Sequence, residues 1–210
     1  MRVTVPAPIP GVADSTLTAH NMSDSIIRLQ DCPPRPWENR LGRTRELAVQ
    51  PSVIGSADWL WRISVAEVDS AAPFSAFPGV ERTIVLLAGA GFRMTLDGGH
   101  VHALTTPFVP FTFPGEVRVD VELADGATRD FNVMARRALA TTQLQVRRTP
   151  GTYTTDAATV LVYCALGRTD TPAGVLRADE AWRPARARAS AFTLHTDSVA
   201  LVVRVEGRGS

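Results

Sequence analysis

Apolar residues along the chain come in short alternating or continuous runs broken by glycine, proline and aspartate. Helical spacing is rarely sustained beyond two turns, so the pattern predicts strands almost throughout. The clearest alternation is Trp59-Leu-Trp-Arg-Ile-Ser-Val-Ala-Glu-Val68. Successive side chains of a strand point to opposite faces, so Trp59, Trp61, Ile63 and Val65 share one face and Arg62, Ser64 and Ala66 the other. Further strands are expected at 83–87, 92–96, 100–104, 117–123 and 131–136, with Asp97-Gly98-Gly99 and Asp125-Gly126 as hairpin turns. Pro33-Pro34-Arg35-Pro36 and the stretch 107–114 cannot be central strands, because proline donates nothing to a ladder, and they read as rim or connector segments.

A second part repeats the style of the first after a break at Arg147-Arg148-Thr149-Pro150-Gly151. Thr159-Val-Leu-Val-Tyr-Cys-Ala-Leu-Gly167 echoes Thr83-Ile-Val-Leu-Leu-Ala-Gly-Ala-Gly91, and the closing run 198–206 echoes 116–123. The expectation is an all-β chain of two barrel-like halves, residues 23–148 and 149–210, behind a loose tail at 1–22 that could be an extension upstream of a natural start at Met22. Closing each sheet on itself would remove the exposed edges that many short strands leave.

Composition narrows the class without naming a chemistry. Hydrophobic residues make up 45% of the chain and charged residues 20%, the values of a folded globular protein. With 22 basic and 21 acidic residues the formal net charge is +1, so no summed field draws the chain to nucleic acid or an anionic membrane. No lysine occurs, so any anion site must use guanidinium forks. Cys32 and Cys164 form no paired spacing, which fits reduced thiols in the cytoplasm. No apolar run approaches the roughly 20 residues of a membrane helix.

No catalytic set can be named. There is no GxSxG elbow, neither cysteine has a histidine nearby in sequence, and Gly89-Ala-Gly91 does not open a helix. His100-Val-His102 has metal-like spacing, but no carboxylate follows it closely and only His20 and His195 remain, so the pair reads as exposed hairpin residues and neither metal nor cofactor is expected.

Pro36-Trp-Glu-Asn39, Thr44-Arg-Glu46, Trp59-Leu-Trp-Arg-Ile-Ser64, Pro73-Phe-Ser-Ala-Phe-Pro-Gly79, Arg82 and Arg129-Asp-Phe-Asn-Val-Met134, taken together, resemble the HutD/Ves family of bacterial proteins. The likeness runs from about Ile26 to Arg137 and continues faintly to Glu206. It implies a bicupin fold, two tandem cupin-like barrels, without the usual metal set. It also implies a link to histidine utilisation, with binding of an intermediate such as N-formylglutamate; an enzymatic activity is not established for the family as a whole. Where the family shows a glycine run, this chain has Asn39-Arg-Leu-Gly42, so Arg40 and Leu41 bring side chains to the presumed mouth.

The expected ligand-binding set is Asn39, Thr44, Glu46, Arg62, Ser64, Arg82, Asp130, Asn132 and Arg136. If the tryptophans of 59–68 pack between layers, Arg62 and Ser64 point into the lumen; Asn132 and Arg136 share a face with Met134, and Thr44 shares one with Glu46. Guanidinium forks suit a carboxylate, and Asn and Ser suit an amide or formyl group. The competing reading is an internal salt-bridge network, Arg62 with Glu46 or Asp130. Phe77, Pro78 and Gly79 read as a turn and core plug. Three functions follow: a regulatory or accessory protein binding a small anionic metabolite; a cupin-type isomerase or lyase using Glu46 or Asp130; or a structural β-protein whose edge strands pair into a homodimer.

Overall fold

The computed structural model describes residues 23–37, 41–52, 59–71, 73–185 and 189–208. The expected N-terminal tail therefore lies outside the described residues. The strands are, in order, β1 (Ser25–Arg28), β2 (Pro34–Pro36), β3 (Gly42–Pro51), β4 (Trp59–Val68), β5 (Val80–Ala88), β6 (Phe92–Leu96), β7 (His100–Leu104), β8 (Pro110–Pro114) and β9 (Val119–Leu123). They continue with β10 (Thr128–Arg136), β11 (Ala140–Arg147), β12 (Gly151–Thr154), β13 (Thr159–Leu166), β14 (Arg168–Thr171), β15 (Gly174–Arg177), β16 (Glu180–Arg183), β17 (Ala191–Leu194) and β18 (Val199–Gly207). A short 3-10 turn covers Leu29–Asp31, and no helix among the described residues is long and apolar enough to cross a membrane.

These strands form four sheets stacked as layers. A six-stranded sheet, β2-β3-β4-β10-β5-β8, lies back to back with a five-stranded sheet, β1-β16-β13-β18-β11. Between them Trp61, Ile63, Val65, Phe131 and Val133 pack on Leu161, Tyr163, Leu201 and Val203. Outside the first lies the three-stranded sheet β7-β6-β9, whose Phe92, Met94 and Val121 pack on Val68, Ile84 and Phe113. Outside the second lies β12-β17-β14-β15, with Leu176, Phe192 and Leu194 against Val162, Trp182 and Val202. A strand covered on both faces must be apolar on both, which is why β5, β13 and β18 read as continuous runs while β6 alternates. Closed barrels were expected, and the structure corrects this: the sheets stay open and pair face to face. The proline segments fall where a missing donor is harmless, with β2 and β8 at the two edges of the six-stranded sheet.

The duplication shows in the pairing. β5 pairs with β8 and β10 while β6 pairs with β7 and β9; β13 pairs with β16 and β18 while β14 pairs with β15 and β17. Both halves even share a bulge. Asp130 faces Leu86 and Arg129 faces Ala88, skipping Leu87, just as Ala200 faces Cys164 and Val199 faces Leu166, skipping Ala165. This register sets Gly89, not Gly91, over Gly167, two residues from the expected alignment. It also makes β18 the counterpart of β10 rather than of 116–123. The break expected at 147–151 separates β11 from β12, yet β1 and β11, from the expected 23–148 half, are hydrogen-bonded into the sheet of the 149–210 half.

One glycine fixes the corner after β5. Gly91 has φ +80°, and a Cβ there would sit 2.0 Å from the Leu104 carbonyl oxygen. Gly91→Ala is expected to cost roughly 2–4 kcal/mol in urea unfolding, from strain and from displaced backbone. A loss within about 0.5 kcal/mol would show instead that the corner relaxes freely.

Candidate functional site

The outer face of the six-stranded sheet carries the polar positions that alternation assigns opposite to Trp61, Ile63 and Val65. β3, β4, β10 and β5 are successive neighbours, and their register orders these positions in rows. Thr44, Ala66 and Asp130 form one row, Glu46, Ser64 and Asn132 the next, and Arg62, Met134 and Arg82 a third. Toward β8 the same face turns apolar, with Ile84, Leu86 and Phe113 in the core beneath the three-stranded sheet. The polar rows floor a cavity of about 650 Å³. Its walls come from Arg35 on the edge strand β2, from Trp37 just after it, and from Phe74 and Phe77 in the segment joining β4 to β5. That segment is pinned to the three-stranded sheet, with the Phe74 N–H donating to the Val119 carbonyl at 2.9 Å.

Of the expected residues, Thr44, Glu46, Arg62, Ser64, Arg82, Asp130 and Asn132 all line this cavity. Asn39, like Arg40, lies outside the described residues. Arg136 is not in the wall: its guanidinium lies 4.9 Å over the Trp59 ring and donates to the Pro78 carbonyl at 3.4 Å. Phe77 to Gly79 does form a turn, with the Val80 N–H donating to the Phe77 carbonyl at 3.2 Å, but the Phe77 ring also faces both Arg62 and Arg82. Arg35, Trp37 and Phe74 were missed. Trp37 belongs to the same motif as Asn39, and its indole N–H donates to Thr44 Oγ1 at 2.8 Å. Gly42 makes room for it, since a Cβ there would meet the Trp37 ring at 2.9 Å and the Glu67 carbonyl at 2.6 Å.

The charges in this cavity are not paired off. Arg82 is 7% exposed, donates to Asn132 Oδ1 at 3.1 Å and to no other acceptor among the described residues, and leaves its Nε without a partner. It is enclosed by Phe74, Phe113 and Phe77, whose centroids lie 5.0, 5.2 and 5.6 Å from its guanidinium carbon. Removal from water pushes its pKa down to about 10, although Asp130 pulls the other way. Arg62 donates to Met134 Sδ at 3.3 Å, stacks over Trp59 and Phe77, and is likewise lowered by burial. Among the described residues neither arginine has a carboxylate within 4.0 Å, so the expected Arg62 ion pair with Glu46 or Asp130 does not form. Asp130, 1% exposed, accepts from Asn132 Nδ2 through Oδ1 and leaves Oδ2 without a partner. Burial raises its carboxyl to about 7 against the opposing pull of Arg82 and Asn132.

The duplicated position in the second half provides an internal control. Val202 lies between Gln145 and Val162, as Asn132 lies between Ser64 and Ile84. The cavity there is about 170 Å³. Of its two arginines, Arg204 is paired with Asp156 at 2.7 Å and Glu206 at 3.1 Å, while Arg147 lies 4.9 Å over the Tyr153 ring and donates to Gln145. One half thus pairs one of its two guanidinium groups with its own carboxylates, and the other, among the described residues, leaves both Arg62 and Arg82 unpaired in a larger space. The histidine pair lies elsewhere: His100 is exposed, and His102 stacks on Phe111 at 3.6 Å, outside the cavity wall.

The sequence profile of a family described as HutD matches residues 29–207. An uncharacterized 21.2 kDa protein in the hutC 3′ region of Pseudomonas putida is 36% identical over 140 residues, covering 67% of this chain and 73% of that one. Protein Ves of Cronobacter sakazakii is 39% identical over 127 residues, 60% of this chain and 67% of its own length. Among solved structures, HutD from Pseudomonas fluorescens SBW25, in a formate condition, superposes with a TM-score of 0.80 at 27% identity, over 89% of this chain and 100% of that one. A cupin 2 conserved barrel domain protein from Leptotrichia buccalis shares the fold at 9% identity, with a TM-score of 0.57 over 87% of this chain and 96% of that one. The two layered halves are therefore a bicupin.

Proposed function

The chain belongs to the HutD family, and from that premise we propose that it is a cytoplasmic regulatory or accessory protein of histidine or amino-acid catabolism that binds a small anionic metabolite in its first cupin half. The observation that carries this reading is the pair of guanidinium groups, Arg62 and Arg82, facing the cavity with no carboxylate within 4.0 Å among the described residues. A buried cation lacking a counter-charge is costly, and an incoming carboxylate removes that cost while gaining charge-assisted hydrogen bonds. The hutC-region name of the Pseudomonas putida relative suggests the metabolic setting, and N-formylglutamate fits it: carboxylates for the arginines, and a formyl amide for Ser64 and Thr44. The test is thermal unfolding with N-formyl-L-glutamate, urocanate, histidine and glutamate. Binding at a hundred times Kd stabilises the fold by about 2.7 kcal/mol and raises Tm by several degrees. If none of the four moves Tm, the reading is wrong.

A second reading has one observation behind it. A carboxyl poised at about 7 inside a cavity suits general acid-base work, so Asp130 could serve a cupin-type isomerase or lyase acting on a small carboxylate. Solvent-deuterium exchange into the bound compounds tests it; exchange that is absent, or unchanged in Asp130→Asn, removes it.

A further inference from the structure

Arg82 on β5 and Asp130 on β10 share the cavity without touching. Asn132 stands between them, its Oδ1 accepting from Arg82 and its Nδ2 donating to Asp130 Oδ1. Among the described residues this leaves two complementary defects: guanidinium groups with no carboxylate within 4.0 Å, and a buried carboxyl oxygen, Oδ2, with no donor. An anionic ligand alone mends the first and worsens the second, because it adds a negative charge beside a carboxylate already short of donors. Two acidic groups in one water-poor site share a proton for this reason.

We propose that the cavity takes up its carboxylate ligand together with one proton, held on Asp130. The ligand's carboxylate becomes the counter-charge of Arg62 and Arg82, and the Asp130 carboxyl donates from Oδ2 to a ligand oxygen. Asn132 stays fixed between the two, so Asp130 acts as a specificity residue that asks the ligand for an acceptor rather than for an N–H. The proposal rests on the reading that the cavity binds an anion.

The surroundings allow this. The charged groups that line the cavity with Asp130 are Arg82 from β5, Arg62 from β4, Glu46 from β3 and Arg35 from β2. The segment 73–77 carries none, and the three-stranded sheet turns Phe92, Met94 and Val121 toward this sheet. Burial already brings the Asp130 carboxyl near neutrality, and a nearby anion raises it further. Below the free protein's value of about 7 the proton is present before the ligand arrives, and uptake is nil. Above it, up to the higher value in the complex, binding draws a proton from solvent and so weakens as pH rises.

Calorimetric titration of the intact chain with N-formyl-L-glutamate, whose own carboxylates are ionised throughout, counts the proton when repeated in buffers of different ionisation enthalpy. About one proton taken up at pH 8, close to none at pH 6, and affinity falling about tenfold per pH unit above neutrality are expected. Asp130→Asn is expected to bind with no proton exchanged and a flat pH profile. Ligand binding by the unsubstituted chain with no proton uptake at pH 8 overturns the proposal and leaves the anion reading standing. No binding of N-formyl-L-glutamate, glutamate or urocanate overturns both. Should Asp130→Asn fail to fold, the proton count on the unsubstituted chain decides alone.

Discussion

Arg82→Met is expected to weaken anion binding at least a hundredfold while leaving the fold at least as stable as the unsubstituted chain. Arg82 sits 7% exposed among three phenylalanine rings with a single hydrogen bond among the described residues, and removal from water lowers its pKa to about 10. Its attractive interactions among the described residues are that bond and the cation–π contacts, each on the order of 1 kcal/mol, with the more distant pull of Asp130. Methionine keeps the length of the stem, has no charge to desolvate and makes sulfur–aromatic contacts of about 0.3–1.5 kcal/mol with the same rings. Asn132 Oδ1 loses its donor and Asp130 the pull of a nearby guanidinium, but Asp130 without Arg82 is protonated more readily, which limits the cost. Binding should weaken at least a hundredfold, about 3 kcal/mol, because the ligand's carboxylate loses a desolvated guanidinium. Titration calorimetry and thermal melts on one preparation separate the two effects. A collapse of Tm would make Arg82 a structural residue, and retained affinity would remove it from the site.

Stability given up at a position that serves a ligand is the expected mark of a functional site, and the duplication makes that mark readable within one chain. The counterpart of Met134 is Arg204, which carries its own Asp156 and Glu206. Nothing in the layer architecture forbids such pairing, since the same strands in the same order achieve it. Among the described residues, the absence of paired carboxylates around Arg62 and Arg82 is a property of side chains at those positions in the first half and not of the fold.

Much of this was legible in the sequence where one residue reports on its own strand. β4, β6 and β7 have the bounds their patterns predict, and the Arg62 and Ser64 face was assigned from period-two alternation alone. What escaped depends on contacts between elements. Trp37 and Arg35 reach the cavity from an edge strand whose prolines signal only that it is not central, and Phe74 reaches it because its segment is bonded to β9. Arg136 has the parity of Asn132 and Met134, yet at the end of β10 its guanidinium finds Trp59 instead of the cavity. The repeat was seen but aligned two residues off. Glycine-ended apolar runs look alike at either register, and only cross-strand partners such as Asp130 with Leu86 and Ala200 with Cys164 fix it.

Adjacent residues of β4 should fail in opposite ways, and this is the strongest single check on the layered architecture. Trp61 is 1% exposed between the two large sheets, beside Ile63, Val65 and the strands of the second half. Trp61→Ala removes a large side chain from a site enclosed by two hydrogen-bonded sheets, neither of which can collapse onto the void without breaking ladders. The loss should approach the upper end of the range of about 3–5 kcal/mol, enough to leave a marginal fold largely unfolded near 37 °C. Arg62, the next residue, points to the cavity and makes one weak bond to Met134 Sδ. Arg62→Ala should change stability by less than about 1 kcal/mol and weaken anion binding by tenfold or more. Urea unfolding and ligand titration of the two variants measure both quantities. Equal losses of stability would mean that β4 is not a partition between a core and a cavity. A stable Trp61→Ala chain would mean that the two halves do not depend on the interface this residue fills.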